Sequence, residues 1–183
     1  MIEILLNNRC IRKLRRELEA AGQNEIGGVL AAEQVADGKF LVHDLSIQRN
    51  GTASRFDREP IQHAEFIRRF HERMGNRPEQ FNYLGEWHSH PSYPAIPSFE
   101  DLIQMQKLVE DKEQASTFLA LLVVKIDSRG TLRGSTHVFR PGQLPVRSEL
   151  KSTDVVGITE ERLSIIHVLK QAVKGRYVNA QKV

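Results

Sequence analysis

Two histidines and an aspartate lie close together in the stretch GEWHSHPSYPAIPSFED, which runs from residue 85 to residue 101. His88 and His90 fall in a segment rich in aromatic side chains, where β-strand spacing points both imidazoles to one face. Neutral imidazoles bind zinc at about 2.0–2.1 Å, and a catalytic zinc site has about three protein ligands and one open position. The pair therefore predicts a metal site that needs one more ligand.

Asp101 is the candidate for that ligand. Prolines at 91, 94 and 97 prevent the strand from continuing. Ser98 is a suitable N-cap for the following segment, whose apolar residues have helical spacing. Asp101 then lies in the first helical turn and faces the end of the strand. The same spacing from Ser98 to Asp101 is typical of a variant capping box, which only stabilises the helix N-terminus. The residues alone leave both interpretations open.

Glu25 is a candidate general base for hydrolysis. It precedes Gly27 and Gly28 at the start of an apolar segment. A single glutamate before a strand is most often solvated surface. Two glycines weaken a strand, and the close approach of a ligand or of another backbone is one reason to have them. We therefore predict Gly27 and Gly28 as substrate-binding positions.

Taken together, these residues resemble the signature of the JAMM metalloproteases of the MPN domain family, over roughly residues 1–140. The positions that carry the resemblance, without a departure from the signature, are Glu25, His88-Ser89-His90-Pro91, Ser98 and Asp101. The resemblance implies one Zn²⁺ per chain, bound by the two histidines and the aspartate. It also implies that Glu25 is the general base and that Ser98 helps to stabilise the oxyanion.

Members of this family typically cleave an amide or isopeptide bond after the C-terminal glycine of a ubiquitin-like protein. The resemblance thus implies such a protein, or its conjugate, as the partner. The chain looks similar to small bacterial members, some from operons that pair ubiquitin-like conjugation with anti-phage defence and others linked to sulfur-carrier proteins. We favour the defence-associated deconjugating peptidase and keep sulfur-carrier processing as the alternative.

Two further classes of function stay open. One is a non-catalytic MPN scaffold, against which the intact ligand set argues. The other is a zinc hydrolase of small molecules, such as an amidase. A zinc nucleobase deaminase would need a pair of cysteines, and the chain has only Cys10. Cys10 shares the apolar face of a predicted helix, so we expect a buried structural thiol.

The elements that must position these residues alternate between strand and helix. We predict strands at 3–6, 26–32, 40–47, 81–90, 118–127 and 131–139, a short extended piece at 54–57, and helices at 9–21, 61–74 and 99–113. This order predicts an α/β fold, a mixed β-sheet with helices on its faces. The resemblance implies the cytidine-deaminase-like form of an α-β-α sandwich.

Two regions are expected on either side of Pro141. Residues 1–140 form the predicted catalytic domain, and residues 141–183 form a polar linker followed by an amphipathic helix that opens at Thr159. We expect this helix to pack on the catalytic domain, with a partner or a second copy as the alternatives. A homo-oligomer is not predicted.

Charge and hydropathy limit the classes of binding partner and the location that the sequence predicts. The formal net charge of +3 comes from residues 141–183, while basic and acidic residues balance in residues 1–140. A neutral catalytic body argues against a nucleic-acid partner. No stretch predicts a membrane span, and the start MIEILLNN fits a first strand better than a secretory signal. The expected location is the cytoplasm.

Overall fold

The computed structural model describes residues 2–49, 51, 59–113, 116–153, 157–161 and 165–166. Within them the elements are β1 (Glu3–Leu6), α1 (Asn8–Ala21), β2 (Gly27–Ala36), β3 (Lys39–Leu45), α2 (Pro60–Arg73), β4 (Phe81–Ser89), α3 (Phe99–Glu110), β5 (Leu119–Ile126), β6 (Leu132–Phe139), β7 (Val146–Ser152) and β8 (Thr159–Glu160). The predicted piece at 54–57 lies outside the described residues.

The strands form one mixed sheet that closes on itself. β5 pairs with β4 in parallel and with β6 in antiparallel, and the order β5-β4-β2-β3-β1-β7-β6 returns to β5. β8 adds to β6 in parallel. The predicted α/β class, with a mixed sheet and helices, is confirmed. The finer expectation of an α-β-α sandwich differs from the structure in one respect, because seven strands form a closed, barrel-like ring.

β7 is the strand that closes this ring, and it lies in the region predicted to be a linker. Ser148 and Leu150 are buried whereas Glu149 and Lys151 are exposed, which is the alternation of a half-buried strand. β7 pairs with β1 on one side and with β6 on the other. The linker prediction is therefore wrong for these residues. Because β7 was not predicted, the closure of the sheet was not predicted either.

The predicted C-terminal helix is only partly covered by the structure. Thr159, expected to open it, lies in β8 instead. Residues 165–166 are helical, and the rest of the predicted helix, residues 162–164 and 167 to its expected end at Gly175, lies outside the described residues.

The two faces of the sheet pack against different helices. The buried apolar face of α1 forms one large cluster with residues 120, 122 and 124 of β5, whereas residues 119, 121 and 123 pack with α3. α2 covers another part of the outer face, where Phe70 packs with Ala31 and Phe81. Cys10 is buried on the inner face of α1, as predicted, and burial raises the pKa of its thiol to about 12. Among the described helices, none combines the length and the apolar character needed to cross a bilayer.

An irregularity at Gly85 decides which face of β4 carries His88. Leu84 packs in the α1 cluster, so strict alternation would turn Trp87, three residues later, to the other face. Trp87 nevertheless lies fully buried in the same cluster, because the register between β4 and β2 shifts beside Gly85. Beyond this shift, alternation places His88 on the opposite face, where α3 packs.

Glycine is required at this position for two reasons. The φ angle of Gly85 is +146°, a conformation that residues with a side chain rarely adopt. A Cβ atom there would lie 2.0 Å from the carbonyl oxygen of Ala120 on β5. Both effects oppose any larger residue.

Replacing Gly85 with alanine should therefore destabilise the fold strongly. We expect Gly85→Ala to lower the free energy of unfolding by about 3 kcal/mol or more, because strain and a backbone clash add. The matched control is Gly130→Ala in an exposed turn, where φ is also positive but nothing lies within 4 Å of the new Cβ. That control should cost about 1 kcal/mol. Urea denaturation of both variants measures the difference, and equal losses would contradict the crowding argument.

His137 on β6 is fully buried, and neither ring nitrogen has a hydrogen-bond partner among the described residues. Burial, with a further contribution from the positive charge of Arg147, lowers the pKa of His137 to about 4. In an unfolded chain the pKa of histidine is about 6.5. Between these two values the unfolded state binds more protons than the folded state, so stability falls as the pH falls.

This shift predicts a measurable acid sensitivity. Between pH 7 and pH 5 the wild-type chain should lose about 2 kcal/mol of unfolding free energy through His137 alone. His137→Leu removes the titrating group, so its stability should fall by about 2 kcal/mol less over the same interval. Denaturation midpoints at the two pH values test this. Parallel pH profiles for the two proteins would show that His137 titrates normally.

Candidate metal centre and catalytic site

The two histidines converge at the end of β4. His88 lies within the strand, and His90 follows its last residue. The backbone N–H of His90 still donates to the carbonyl oxygen of Val124 on β5, at 2.9 Å, so the sheet extends far enough to hold both histidines. Their Nε2 atoms lie 3.0 Å apart.

Asp101 completes the group from the first turn of α3. Its Oδ2 atom lies 3.4 Å from Nε2 of His88 and 3.5 Å from Nε2 of His90. In a tetrahedral site with bonds of about 2.0–2.1 Å, ligand atoms are separated by about 3.3 Å. The observed separations match this value. The three residues predicted as ligands are therefore brought together in a geometry that fits a metal ion.

The carbonyl oxygen of Pro94 fixes the orientation of one ligand. Nδ1 of His90 lies 3.1 Å from this oxygen. A carbonyl can only accept, so Nδ1 carries the proton and Nε2 presents its lone pair to the centre. The loop is held in turn by Lys125, whose Nζ donates to the carbonyl oxygen of Tyr93 at 2.8 Å.

The capping box is present, and it is compatible with a ligand role for Asp101. The N–H of Ser98 donates to Oδ2 of Asp101 at 2.7 Å, and the N–H of Asp101 donates to Oγ of Ser98 at 3.2 Å. The oxygen that caps the helix is thus the same oxygen that faces the imidazoles. The two interpretations left open above do not exclude each other. Ser98 itself is exposed, and its O–H remains able to donate because Oγ is the acceptor of the capping bond.

The Asp101 carboxylate and the His90 imidazole shift each other's pKa. Burial favours the neutral form of Asp101, but His88 and hydrogen bonds from both histidines and Ser98 hold its pKa well below the usual range. Burial likewise opposes charge on His90, yet the Asp101 carboxylate raises the pKa of His90 above its ordinary value. Protons must therefore leave the histidine when a metal binds, and binding becomes weaker at low pH.

Glu25 lies beside this group and is not solvated surface, since only 5% of it is exposed. Burial raises the pKa of its carboxyl group, His90 and His88 oppose the rise, and Asp101 adds to it. Within the described part of the chain, the atoms that converge for a metal come from the two histidines and Asp101. The position of Glu25 fits a proton acceptor next to the centre better than a further ligand.

The two glycines after Glu25 make close contacts within the chain itself. A Cβ atom on Gly28 would lie 2.3 Å from the carbonyl oxygen of Ser46. Both backbone groups of Gly27 are bonded to Gln48, at 3.1 and 2.7 Å. A substrate strand therefore cannot pair with β2 at Gly27 unless it displaces Gln48. The substrate-binding role of Gly27 and Gly28 stays a prediction, for which the structure offers an internal alternative.

Ser89 is part of the quoted signature, but sequence reasoning gave it no role of its own. Its Oγ accepts a hydrogen bond from the backbone N–H of Ile26 at 2.9 Å. The available signal was its place between the two histidines, because alternation turns Ser89 away from the metal group and toward the segment that carries Glu25.

The family assignment rests on a match over most of the chain. The model of the prokaryotic homologues of the JAB domain matches residues 7–135, which include all the predicted site positions. The chain belongs to this family. The recognition of a JAMM and MPN relationship from the site residues is thereby confirmed.

Individual relatives are distant. A protein of Enterobacter hormaechei subsp. hoffmannii, named CD-NTase/cGAS isopeptidase, is 24% identical over 153 residues, with 79% of each chain covered. The solution structure of a protein from Desulfitobacterium hafniense aligns with a TM-score of 0.61 at 18% identity, over 86% of this chain and 94% of that one. This second likeness shows a shared fold. A Salinibacter ruber protein aligns with a TM-score of 0.47 at 18% identity, over 87% of this chain and 98% of its own.

The metal centre is testable by zinc content. We expect the wild-type chain to bind about one zinc ion. His88→Ala and Asp101→Asn should each weaken zinc binding by more than about 100-fold. Loss of a residue that only hydrogen-bonds to a ligand typically weakens metal binding by about 10- to 100-fold. Asparagine can still accept the capping bond, so α3 should stay folded in the second variant.

The control is His43→Ala, because His43 pairs with Glu33 away from the centre. Calorimetric titration with zinc should give the same affinity for this control as for the wild-type chain. Unchanged zinc binding in both ligand variants would place the ion elsewhere.

Proposed function

We propose that this chain is a zinc-dependent peptidase that cleaves the amide or isopeptide bond after the C-terminal glycine of a ubiquitin-like protein. The observation that carries the proposal is the convergence of two imidazole nitrogens and one carboxylate oxygen, 3.0–3.5 Å apart, beside a buried glutamate. This combination supplies a metal site and a base within one group. It supports hydrolysis over a scaffold role, which needs neither.

His88, His90 and Asp101 would hold the zinc ion through Nε2, Nε2 and Oδ2. When bound, zinc supplies a Lewis acid that polarises the scissile carbonyl and lowers the pKa of water to about 7. The carbonyl oxygen of Pro94 keeps the His90 ring in the tautomer that binds a metal. The N–H of Ser98 keeps the Asp101 carboxylate turned to the same point.

Glu25 is the proton carrier in this proposal. Because burial raises its pKa, the carboxylate is a stronger base than an exposed glutamate. It takes a proton from the attacking water and returns it to the nitrogen of the leaving amine as the C–N bond breaks. Ser98 lies at the exposed rim of the group, and its O–H donates to the oxyanion that forms on the carbonyl.

The substrate class is supported by the family and by one relative. The Enterobacter protein is named an isopeptidase, which favours deconjugation over the processing of a sulfur carrier. We propose that this chain also removes a ubiquitin-like protein from a conjugated target, in bacterial anti-phage defence. A fusion that joins a ubiquitin-like protein to a reporter through its terminal glycine is the appropriate first substrate.

Loss of the base should separate chemistry from metal binding. We expect Glu25→Gln to lower kcat on this fusion by about 10²- to 10⁴-fold, because no proton acceptor remains, while zinc content stays unchanged. Glu33→Gln is the control, since Glu33 bonds His43 and Gln80 outside the centre. That variant should cleave at the wild-type rate. Full activity in Glu25→Gln would show that another group is the base. If the wild-type chain hydrolyses small amides but not the fusion, the proposed substrate class is wrong.

A further inference from the structure

Ser89 joins the strand that carries the metal ligands to the segment that carries the proposed base. It is the last residue of β4 and lies between the two histidines in sequence. Only 1% of Ser89 is exposed. Strand alternation turns its side chain away from the imidazoles, and its Oγ contacts the backbone of Ile26. It cannot bind the metal or the substrate, so any effect on catalysis must pass through another residue.

Two hydrogen bonds tie Ser89 to Ile26. Its Oγ accepts from the backbone N–H of Ile26 at 2.9 Å, and its own N–H donates to the carbonyl oxygen of Ile26 at 2.8 Å. Ile26 directly follows Glu25, and β2 begins only at Gly27. The peptide that carries the glutamate is thus held by Ser89 before the regular pairing of β2 and β4 starts.

A second link between the same two segments is weaker. Oγ of Ser92 donates to Oε1 of Gln23 at 3.1 Å, but both side chains are exposed. An exposed side-chain bond competes with water and contributes little, whereas the N–H of Ile26 is buried and has no access to water. The bond to Ser89 is therefore the stronger constraint on Glu25.

We propose that Ser89 is a positioning residue, whose hydroxyl fixes the backbone of Glu25 relative to His88 and His90. Without it the carboxylate moves relative to the metal ligands while the ligands themselves stay in place. The catalytic consequence rests on the proposed function, but the placement of Glu25 does not. A displacement of about 1 Å at a reacting group lowers the rate by about 100-fold.

Ser46, which directly follows β3, offers a matched control that also bonds β2. Its Oγ accepts from the backbone N–H of Val29 at 2.9 Å, and Ser46 is 9% exposed. The bond has the same type and length as that of Ser89, but it holds β2 four residues beyond Glu25. Ser46→Ala therefore reproduces the loss of one buried hydrogen bond without releasing the glutamate.

The first test is kinetic and uses the zinc-loaded full chain with the fusion substrate. We expect Ser89→Ala to lower kcat by about 10- to 100-fold, with KM changed less than about twofold and zinc content unchanged. Ser89→Thr restores a hydroxyl and should recover most of kcat. Ser46→Ala should lose similar stability but keep kcat within about twofold. Equal kcat values in the two alanine variants, or loss of zinc from Ser89→Ala, would overturn the proposal.

The second test does not depend on activity. Crystal structures of the zinc-loaded wild-type chain, Ser89→Ala and Ser46→Ala report where the Glu25 carboxylate lies relative to the three ligand atoms. We expect the Glu25 carboxylate to be displaced, or to occupy more than one position, in Ser89→Ala and not in the other two proteins. An unmoved carboxylate would refute the positioning role even if activity fell. If the wild-type chain cleaves no ubiquitin-like fusion, the proposed function fails, and these structures still decide the role of Ser89.

Discussion

The close contact between Gly85 and the backbone of Ala120 sets the geometry on which the candidate site depends. Because no side chain intervenes, β4 can lie against β5 with a positive φ and a shift in register against β2. The shift sends Trp87 into the α1 cluster and leaves His88 on the outer face. α3 packs on that same face, so its first turn can meet the histidines. A regular strand would put His88 in the interior of the sheet.

The start of β2 is anchored residue by residue, which explains how a glutamate can be buried just before it. Ile26 is bonded to Ser89, Gly27 to Gln48, and Gly28 lies against Ser46. Three consecutive residues are thus in contact with two other segments, the end of β4 and residues 46–48 that follow β3. Burying an acid raises the free energy of its charged form. The anchored backbone offsets this tendency to move toward solvent, and the result is a base stronger than an exposed carboxylate.

Much of the site was predictable because its information is local. The spacing of His88, His90 and Asp101 defines a strand, a turn and a helix start, and each step follows from short-range rules. The strand β7 was missed for the opposite reason: its proline-flanked, polar sequence resembles a linker until β1 and β6 are seen on either side. Closure of a sheet is a long-range property. The partner of Ser89 was equally invisible, since Ile26 lies 63 positions earlier in the chain.

The capping bond of α3 restrains Asp101 before any metal ion binds. An aspartate that must be immobilised by its ion loses conformational entropy at the moment of binding, and this loss weakens affinity. Here Oδ2 of Asp101 is already restrained by the N–H of Ser98, as part of starting the helix. The entropy is lost when the chain folds, not when the ion arrives. Folding thus restrains the carboxylate in advance, and the helix cap would contribute to the affinity for any ion that binds there.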